Sequence, residues 1–235
     1  MEAVRTALET LPGSSRRART DRPGQYALDL VADAAALEVL AGAPVGVLSE
    51  ESGRSGPQDS PVTVVIDPVD GSTNCSRGIP YWATALCAVD SAGPRVAMVV
   101  NQATGAVTTA VRGGGAWREG KRLVSSPVER LEDAVVHLSG RPARFLAWKQ
   151  FRSLGSAALA LCDVAAGAIE GFVDSGSHHY PWDYLGGLLA CSEAGAVVVD
   201  ARGRPLVELD PGVRRHLLAA CTPVLLEQLR AAVGE

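Results

Sequence analysis

Lysine is nearly absent from this 235-residue chain: Lys121 and Lys149 are the only two, and almost all positive charge sits on arginine. That is a compositional bias without functional content. Cysteine is scarce too, with five residues at 75, 87, 162, 191 and 221 and no C-x-x-C pair. An odd count at these spacings speaks against a disulfide framework or a structural zinc site and fits a reducing, cytoplasmic compartment. No apolar run is long enough to cross a bilayer. The first twenty residues hold no apolar stretch after a basic start, so no signal peptide is expected. The net charge is only −4, from 22 basic and 26 acidic residues. It gives no electrostatic reason to expect nucleic acid or an anionic membrane as partner. With 47% hydrophobic and 20% charged residues the composition is that of a globular protein.

What is there alternates between helical and strand patterns, with no internal repeat. Pro12 to Gln25 and Gly53 to Pro61 read as loops. Leu28 to Ala41 reads as a helix with Leu30, Ala34, Leu37 and Ala41 on its apolar face. Asp29 and Asp33, four apart, share one face near its start. Strands are predicted at 45–48, 62–66, 82–89, 96–100, 107–111 and 134–138. Gly113 to Gly115 reads as a hairpin turn. The second half predicts helices at 155–166, at 183–194 with Asp183 as N-cap, and from Thr222-Pro223 to Val233. Strands lie between them at 168–174, 196–200 and 217–221. This mixture predicts helices layered on sheets, with a seam near Ser125-Ser126-Pro127 that separates 1–124 from 125–235.

Two apolar runs stop abruptly in acids. Val45–Leu48 ends at Ser49-Glu50-Glu51-Ser52. Val62–Ile66 ends at Asp67-Pro68-Val69-Asp70-Gly71-Ser72-Thr73-Asn74. Carboxylates packed together repel, and a divalent cation offsets the repulsion. The candidate ligands are hard oxygens without Cys or His partners, which suits Mg²⁺ and argues against zinc. Backbone N–H groups from Gly71 onward could bind a phosphate. A solvated acidic turn is the competing reading. An EF-hand is excluded, since Val69 stands at its third position and glycine falls at the fifth.

The run Asp67 to Asn74 resembles the D-P-[IVL]-D-G-[ST]-x-N signature of the inositol monophosphatase family, Mg²⁺-dependent and lithium-sensitive phosphatases. Four further elements resemble the family in order: Ser49-Glu50-Glu51-Ser52, the hairpin from Gly113 to Leu123, Arg152 to Ala157, and Trp182-Asp183 followed by Glu193-Ala194-Gly195. The resemblance runs from about Leu28 to Gly195. It implies a layered α/β/α/β/α sandwich and a homodimer. Glu50, Asp67 and the Val69 carbonyl would hold a first Mg²⁺, Asp67, Asp70 and Asp183 a second, and Asp29 with Glu50 a weak third. Glu50, Ser72 and Asp67 would be catalytic, Ser72 with Glu50 activating water. Gly71, Ser72, Thr73, Asp174, His178 and Asp183 would meet the phosphate or the substrate.

The implied reaction is hydrolysis of a small phosphate monoester, inositol 1-phosphate first. Histidinol phosphate and other sugar or nucleotide phosphates are alternatives within the class. A catalytically idle regulatory binding protein is the alternative outside it, since some relatives act through partners such as the transcription machinery. The chain departs from the family pattern in a shortened N-terminal stretch, in bulky Tyr184-Leu185 after Trp182-Asp183, and between Asp174 and Trp182. There His178, His179 and Tyr180 could line the pocket mouth. Gly186 and Gly187 keep a close approach to ligand possible.

Overall fold

A computed structural model describes residues 2–13, 15–57, 59–142 and 146–233. Its strands form two sheets. The first carries β1 (Gly46–Ser49), β2 (Gly53–Ser55), β3 (Thr63–Asp70), β4 (Ala83–Asp90), β5 (Gly93–Asn101), β6 (Val107–Val111), β7 (Gly115–Arg118) and β8 (Lys121–Arg122). Their spatial order is β2-β1-β3-β4-β5-β6-β7-β8. β1 and β3 are parallel and the rest antiparallel. The second sheet carries β9 (Val135–Ser139), β10 (Gln150–Arg152), β11 (Gly171–Asp174), β12 (Val197–Asp200) and β13 (Leu217–Ala220), in the order β10-β9-β11-β13-β12.

Helices fill three layers around these sheets. α1 (Glu2–Glu9) and α2 (Ala27–Leu40) cover one face of the first sheet, where Val4, Leu8, Leu28 and Ala32 meet Val47, Ile66 and Val69. α4 (Ala157–Ala165) and α5 (Pro181–Ala194) lie between the sheets, and α6 (Pro223–Val233) closes the outer face of the second. The molecule is therefore an α/β/α/β/α sandwich. Strand alternation builds it. On β3, Val65 faces the central layer and Ile66 the outer helices; on β11, Phe172 faces inward and Val173 outward. Each such buried side chain stabilises the fold by about 1.5–3 kcal/mol. α4 and α5 approach closely because Gly187 has no Cβ: one there would lie 2.4 Å from the Leu161 Cβ. Gly186 likewise sits against Val99, with a Cβ distance of 3.1 Å. The two glycines thus let α5 pack closely against α4 and the first sheet.

Several sequence expectations change. The buried face of α2 is Leu28, Asp29, Ala32, Asp33 and Ala36, not the stripe through Leu30 and Ala34. The helix is apolar nearly all round, so hydrophobicity does not choose its face. The two aspartates do, because Asp33 accepts the Ser49 hydroxyl and Asp29 the Tyr26 N–H. The Gly53–Pro61 loop begins as the edge strand β2. β3 continues through Asp70 instead of ending at Ile66, because β4 pairs across a bulge. α5 starts two residues early, at Pro181, so Asp183 is its third residue and Tyr180 its N-cap.

Candidate functional site

β3 delivers two carboxylates. Pro68 has no N–H to give the ladder, and the register with β4 slips between Asp67 and Asp70. The bulge is pinned twice: Val69 N–H donates to Asp67 Oδ1 at 2.9 Å, and the Thr84 hydroxyl to the Pro68 carbonyl at 2.8 Å. Gly71 then turns the chain with φ of 98°, and a Cβ there would lie 3.0 Å from the Gly155 carbonyl oxygen. Only glycine meets both demands. A short helix, α3 (Ser72–Arg77), follows.

Glu50 opens the turn between β1 and β2. Since β1 runs parallel to β3, both strands end on the same side. Asp183 arrives from the other half in the first turn of α5, where its Oδ2 accepts the Tyr180 N–H at 2.7 Å. One carboxylate oxygen from each of Glu50, Asp67 and Asp183 lies within 4.8 Å of the other two. Residues up to 133 positions apart in sequence are thus brought to a space the size of one ion's ligand shell.

The electrostatics of this trio are costly without a cation. Burial first, then the charges of Asp183 and Glu51, hold the Glu50 carboxyl well above the usual range. Burial and then Glu50, Asp70 and Asp183 do the same to Asp67, which is 1% exposed. Asp70 is pushed up to about 7 by burial and Asp183, against the pull of the Ser156 hydroxyl and the Ala158 N–H. A bound divalent cation would reverse the sign of these contributions. Every donor is a hard oxygen, so the set fits Mg²⁺.

The remaining expected residues occupy distinct places. Asp70 stands beside the trio. Its Oδ2 accepts the Ser156 hydroxyl at 2.6 Å and the Ala158 N–H at 2.7 Å, at the start of α4, which leaves Oδ1 uncommitted by these bonds. The Val69 carbonyl accepts the Ser72 hydroxyl at 2.9 Å. Asp29 is buried, its Oδ1 has no hydrogen-bond partner, and burial raises its pKa to about 6 against the pull of the Tyr26 N–H and the Ser72 hydroxyl. Glu51 turns away toward the N-terminal segment, where Arg22 lies 3.2 Å away and Gln25 also bonds it. Thr73 is exposed, 3.3 Å from the Tyr26 hydroxyl. Asp174, at the end of β11, is fully buried and bonded to His178.

Two participants make contacts that the sequence does not show. Ser156 is legible as a helix N-cap, since it precedes an apolar helical run, but not as a partner of Asp70. His179 is buried, its Nδ1 3.5 Å from Asp183 Oδ2 and its Nε2 2.9 Å from the Ser139 hydroxyl. Nothing in its local sequence separates it from an exposed loop residue.

The model of the inositol monophosphatase family matches residues 25–235. The chain belongs to that family. Among relatives, a fructose-1,6-bisphosphatase/inositol-1-monophosphatase of Archaeoglobus fulgidus is 36% identical over 87% of this chain and 83% of its own length. The Nus factor SuhB of Vibrio cholerae is 33% identical, over 67% of this chain but only 63% of that protein. Among solved structures, a hypothetical protein of Pyrococcus horikoshii with similarities for inositol-1 monophosphatase superposes with a TM-score of 0.89 at 25% identity, covering 100% of this chain and 95% of that one. The layered sandwich is the fold this family shares. Among the described residues no helix is long and apolar enough to cross a membrane.

Proposed function

We propose that this protein hydrolyses a small phosphate monoester with Mg²⁺, inositol 1-phosphate being the first substrate to test. The convergence of Glu50, Asp67 and Asp183 carries the reading. Glu50, Asp67 and the Val69 carbonyl would hold one ion, Asp67, Asp70 and Asp183 a second, and Asp29 with Glu50 a weaker third. Bound Mg²⁺ supplies charge neutralisation at the phosphoryl oxygens, a water of lowered pKa and a stabilised leaving alkoxide. The chain's own residues do the positioning. The N–H groups of Gly71, Ser72 and Thr73, at the open start of α3, take the phosphate. The Ser72 hydroxyl, held by the Val69 carbonyl and close to Asp29, orients the attacking water together with Glu50. The partnerless Asp29 Oδ1 is the oxygen left for that weaker third ion.

The same reading carries inhibition by Li⁺, a homodimer, and work in a reducing cytoplasm, where the five free, buried cysteines stay reduced. The second reading is a regulator like the Nus factor it resembles. A regulator has no need of the full acid set, and Glu50, Asp67, Asp70 and Asp183 are all present. Phosphate release from inositol 1-phosphate, with and without Mg²⁺, tests the choice. Mg²⁺-dependent release that disappears in Asp67→Asn supports hydrolysis. Absence of release from inositol 1-phosphate, histidinol phosphate and p-nitrophenyl phosphate would hand the case to the regulator.

A further inference from the structure

Of the three carboxylates that converge, Glu50 alone stands in a turn, the one that joins β1 to β2. Asp67 lies within a strand and Asp183 within a helix. A functional group must be held within about 0.5 Å of its working place, which a turn does less well than a regular element. This turn is fastened through its main chain. The Glu50 N–H donates to the Ile66 carbonyl of β3 at 3.2 Å. The Glu51 N–H donates to the Ser49 hydroxyl at 3.2 Å, and that hydroxyl gives its own proton to Asp33 Oδ1.

Two periodicities bring these groups together. On β1, Val47 faces α2 and Leu48 the central layer, so Ser49, two residues after Val47, faces α2 as well. On α2, Asp29 and Asp33 stand one turn apart on the buried face. Asp33 thereby meets the end of β1, while Asp29 reaches the Ser72 hydroxyl at the start of α3. Both partners are buried, Ser49 at 1% and Asp33 at 5% exposure. Packing gives no reason for a carboxylate here, since Ala32 and Ala36 fill the same face of α2 without the cost of burying a polar group. Its bond to Ser49 is the reason. A hydroxyl has one proton to give and two lone pairs to offer. A carboxylate takes that proton in a charge-assisted bond, roughly twice as strong as a neutral one, and so locks the rotor. The lone pairs are then fixed in direction, one of them toward the Glu51 N–H.

We propose that Asp33 and Ser49 are positioning residues for Glu50: the buried Asp33 carboxylate fixes the Ser49 hydroxyl, the hydroxyl fixes the Glu51 N–H, and the turn so held points the Glu50 side chain at Asp67 and Asp183. The two aspartates of α2 therefore divide the work. Asp29 faces the site, and Asp33 holds the turn from which Glu50 reaches it. Because both sit on one rigid helix, the helix also sets the spacing between Asp29 and Glu50. The inference rests on the cation reading above, and the following experiment separates the two.

Two readings on folded protein test it: Mg²⁺ affinity by calorimetry without substrate, and exchange of the Glu51 amide by NMR in EDTA. Ser49→Ala removes the hydroxyl and Ser49→Thr keeps it. The inference predicts that Ser49→Ala weakens Mg²⁺ binding by about tenfold or more, within the range of about 10–100-fold that follows loss of a support behind a metal ligand. Ser49→Thr should restore it. Adding Asp33→Ala to Ser49→Ala should weaken binding no further, because members of one chain of bonds are not additive. In EDTA the Glu51 amide should exchange about tenfold faster in Ser49→Ala, a local opening, while the amides of Val64, Val65 and Ile66 keep their rates. Asp33→Asn, which keeps the side chain's shape and an acceptor, should move both readings the same way by less; no change in either overturns the role of the carboxylate. A pair that only stabilises the fold would lower the melting temperature and leave both readings where they are. Unchanged Mg²⁺ affinity in Ser49→Ala, or equal losses in Ser49→Ala and Ser49→Thr, overturns the inference and leaves the cation reading intact. If the unaltered protein takes up no Mg²⁺, the cation reading has failed. The Glu51 amide then decides the support of the turn by itself: faster exchange in Ser49→Ala upholds it, and an unchanged rate overturns it.

Discussion

Asp67 and Asp200 are the same residue type at the same 1% exposure, yet their surroundings drive them in opposite directions. Asp200 ends β12 and begins a turn. Burial alone would raise its carboxyl, but the Arg204 guanidinium and the backbone N–H groups of His216, Arg204 and Arg202 outweigh it and hold the group below the usual range. Those bonds are at 2.7 Å from Arg204 Nη2 and 2.9 Å from each of His216 and Arg202. Asp67 takes the Val69 N–H and otherwise meets the charges of Glu50, Asp70 and Asp183. Burial does not decide the state of a carboxylate; its partners do. Asp200 is satisfied by its own chain, whereas Asp67 needs a charge from outside.

That contrast can be attacked from both ends. The largest expected effect is on turnover: Asp67→Asn should lower kcat/KM by more than about 100-fold, because losses of about 10–100-fold already follow from removing mere supports of a metal ligand. Without metal the same variant should melt no lower than the unaltered protein, since it removes repulsion. Asp200→Asn should do the reverse, costing about 2 kcal/mol in urea unfolding, in the range of hydrogen bonds to a charged group, while kcat/KM holds. Equal effects of the two substitutions on both readouts would erase the distinction.

The pH dependence sharpens it. Asp200 has a depressed folded pKa, so its contribution is complete above the unfolded value of about 3.9 and is lost as the pH falls below it. Asp29 and Asp70 have raised values, about 6 and about 7. Their contribution is complete below the unfolded value and is lost as the pH rises through 6 and 7. In EDTA the urea midpoint should therefore decline between pH 5 and pH 8, and saturating Mg²⁺ should remove the decline. A flat profile in EDTA would contradict the electrostatics assigned to the site.

The smallest effect concerns the tie between the halves. Ser156→Ala removes the hydroxyl bound to Asp70 and the cap on the Leu159 N–H, 3.3 Å away. It should cost about 1 kcal/mol of stability, the usual value of a cap. Mg²⁺ affinity, followed by calorimetry, should weaken as well, and Ser156→Thr should restore both. A loss of stability with unaltered Mg²⁺ affinity would reduce Ser156 to a cap.

The parts of the molecule legible in sequence are those written in contiguous residues. The strand through Val64 and Val65, the proline bulge and the glycine turn stand in one run, and each has a local physical reason. The layered fold followed from the alternation of patterns and from the resemblance. The face of α2 was not legible, because Leu30 and Leu28 are equally apolar and only the distant Ser49 makes Asp33 worth burying. The sealing of Asp174 was not legible either: it depends on Gly140 leaving room for a loop 35 residues away. The role of Ser156 depends on α4 meeting β3 across the middle of the sandwich. In each case a long-range contact chose between locally equivalent options.

The central claim is that Glu50, Asp67 and Asp183 together build a cation centre, with Asp67 common to its two ions. Crystals soaked in Mn²⁺ and measured at the manganese edge test it most directly. The claim predicts anomalous peaks on either side of Asp67, one toward Glu50 and one toward Asp183, with ligand oxygens at roughly 2.1 Å, the distance of a small hard cation. A soaked crystal without a peak there, or with the three side chains turned apart, would contradict it.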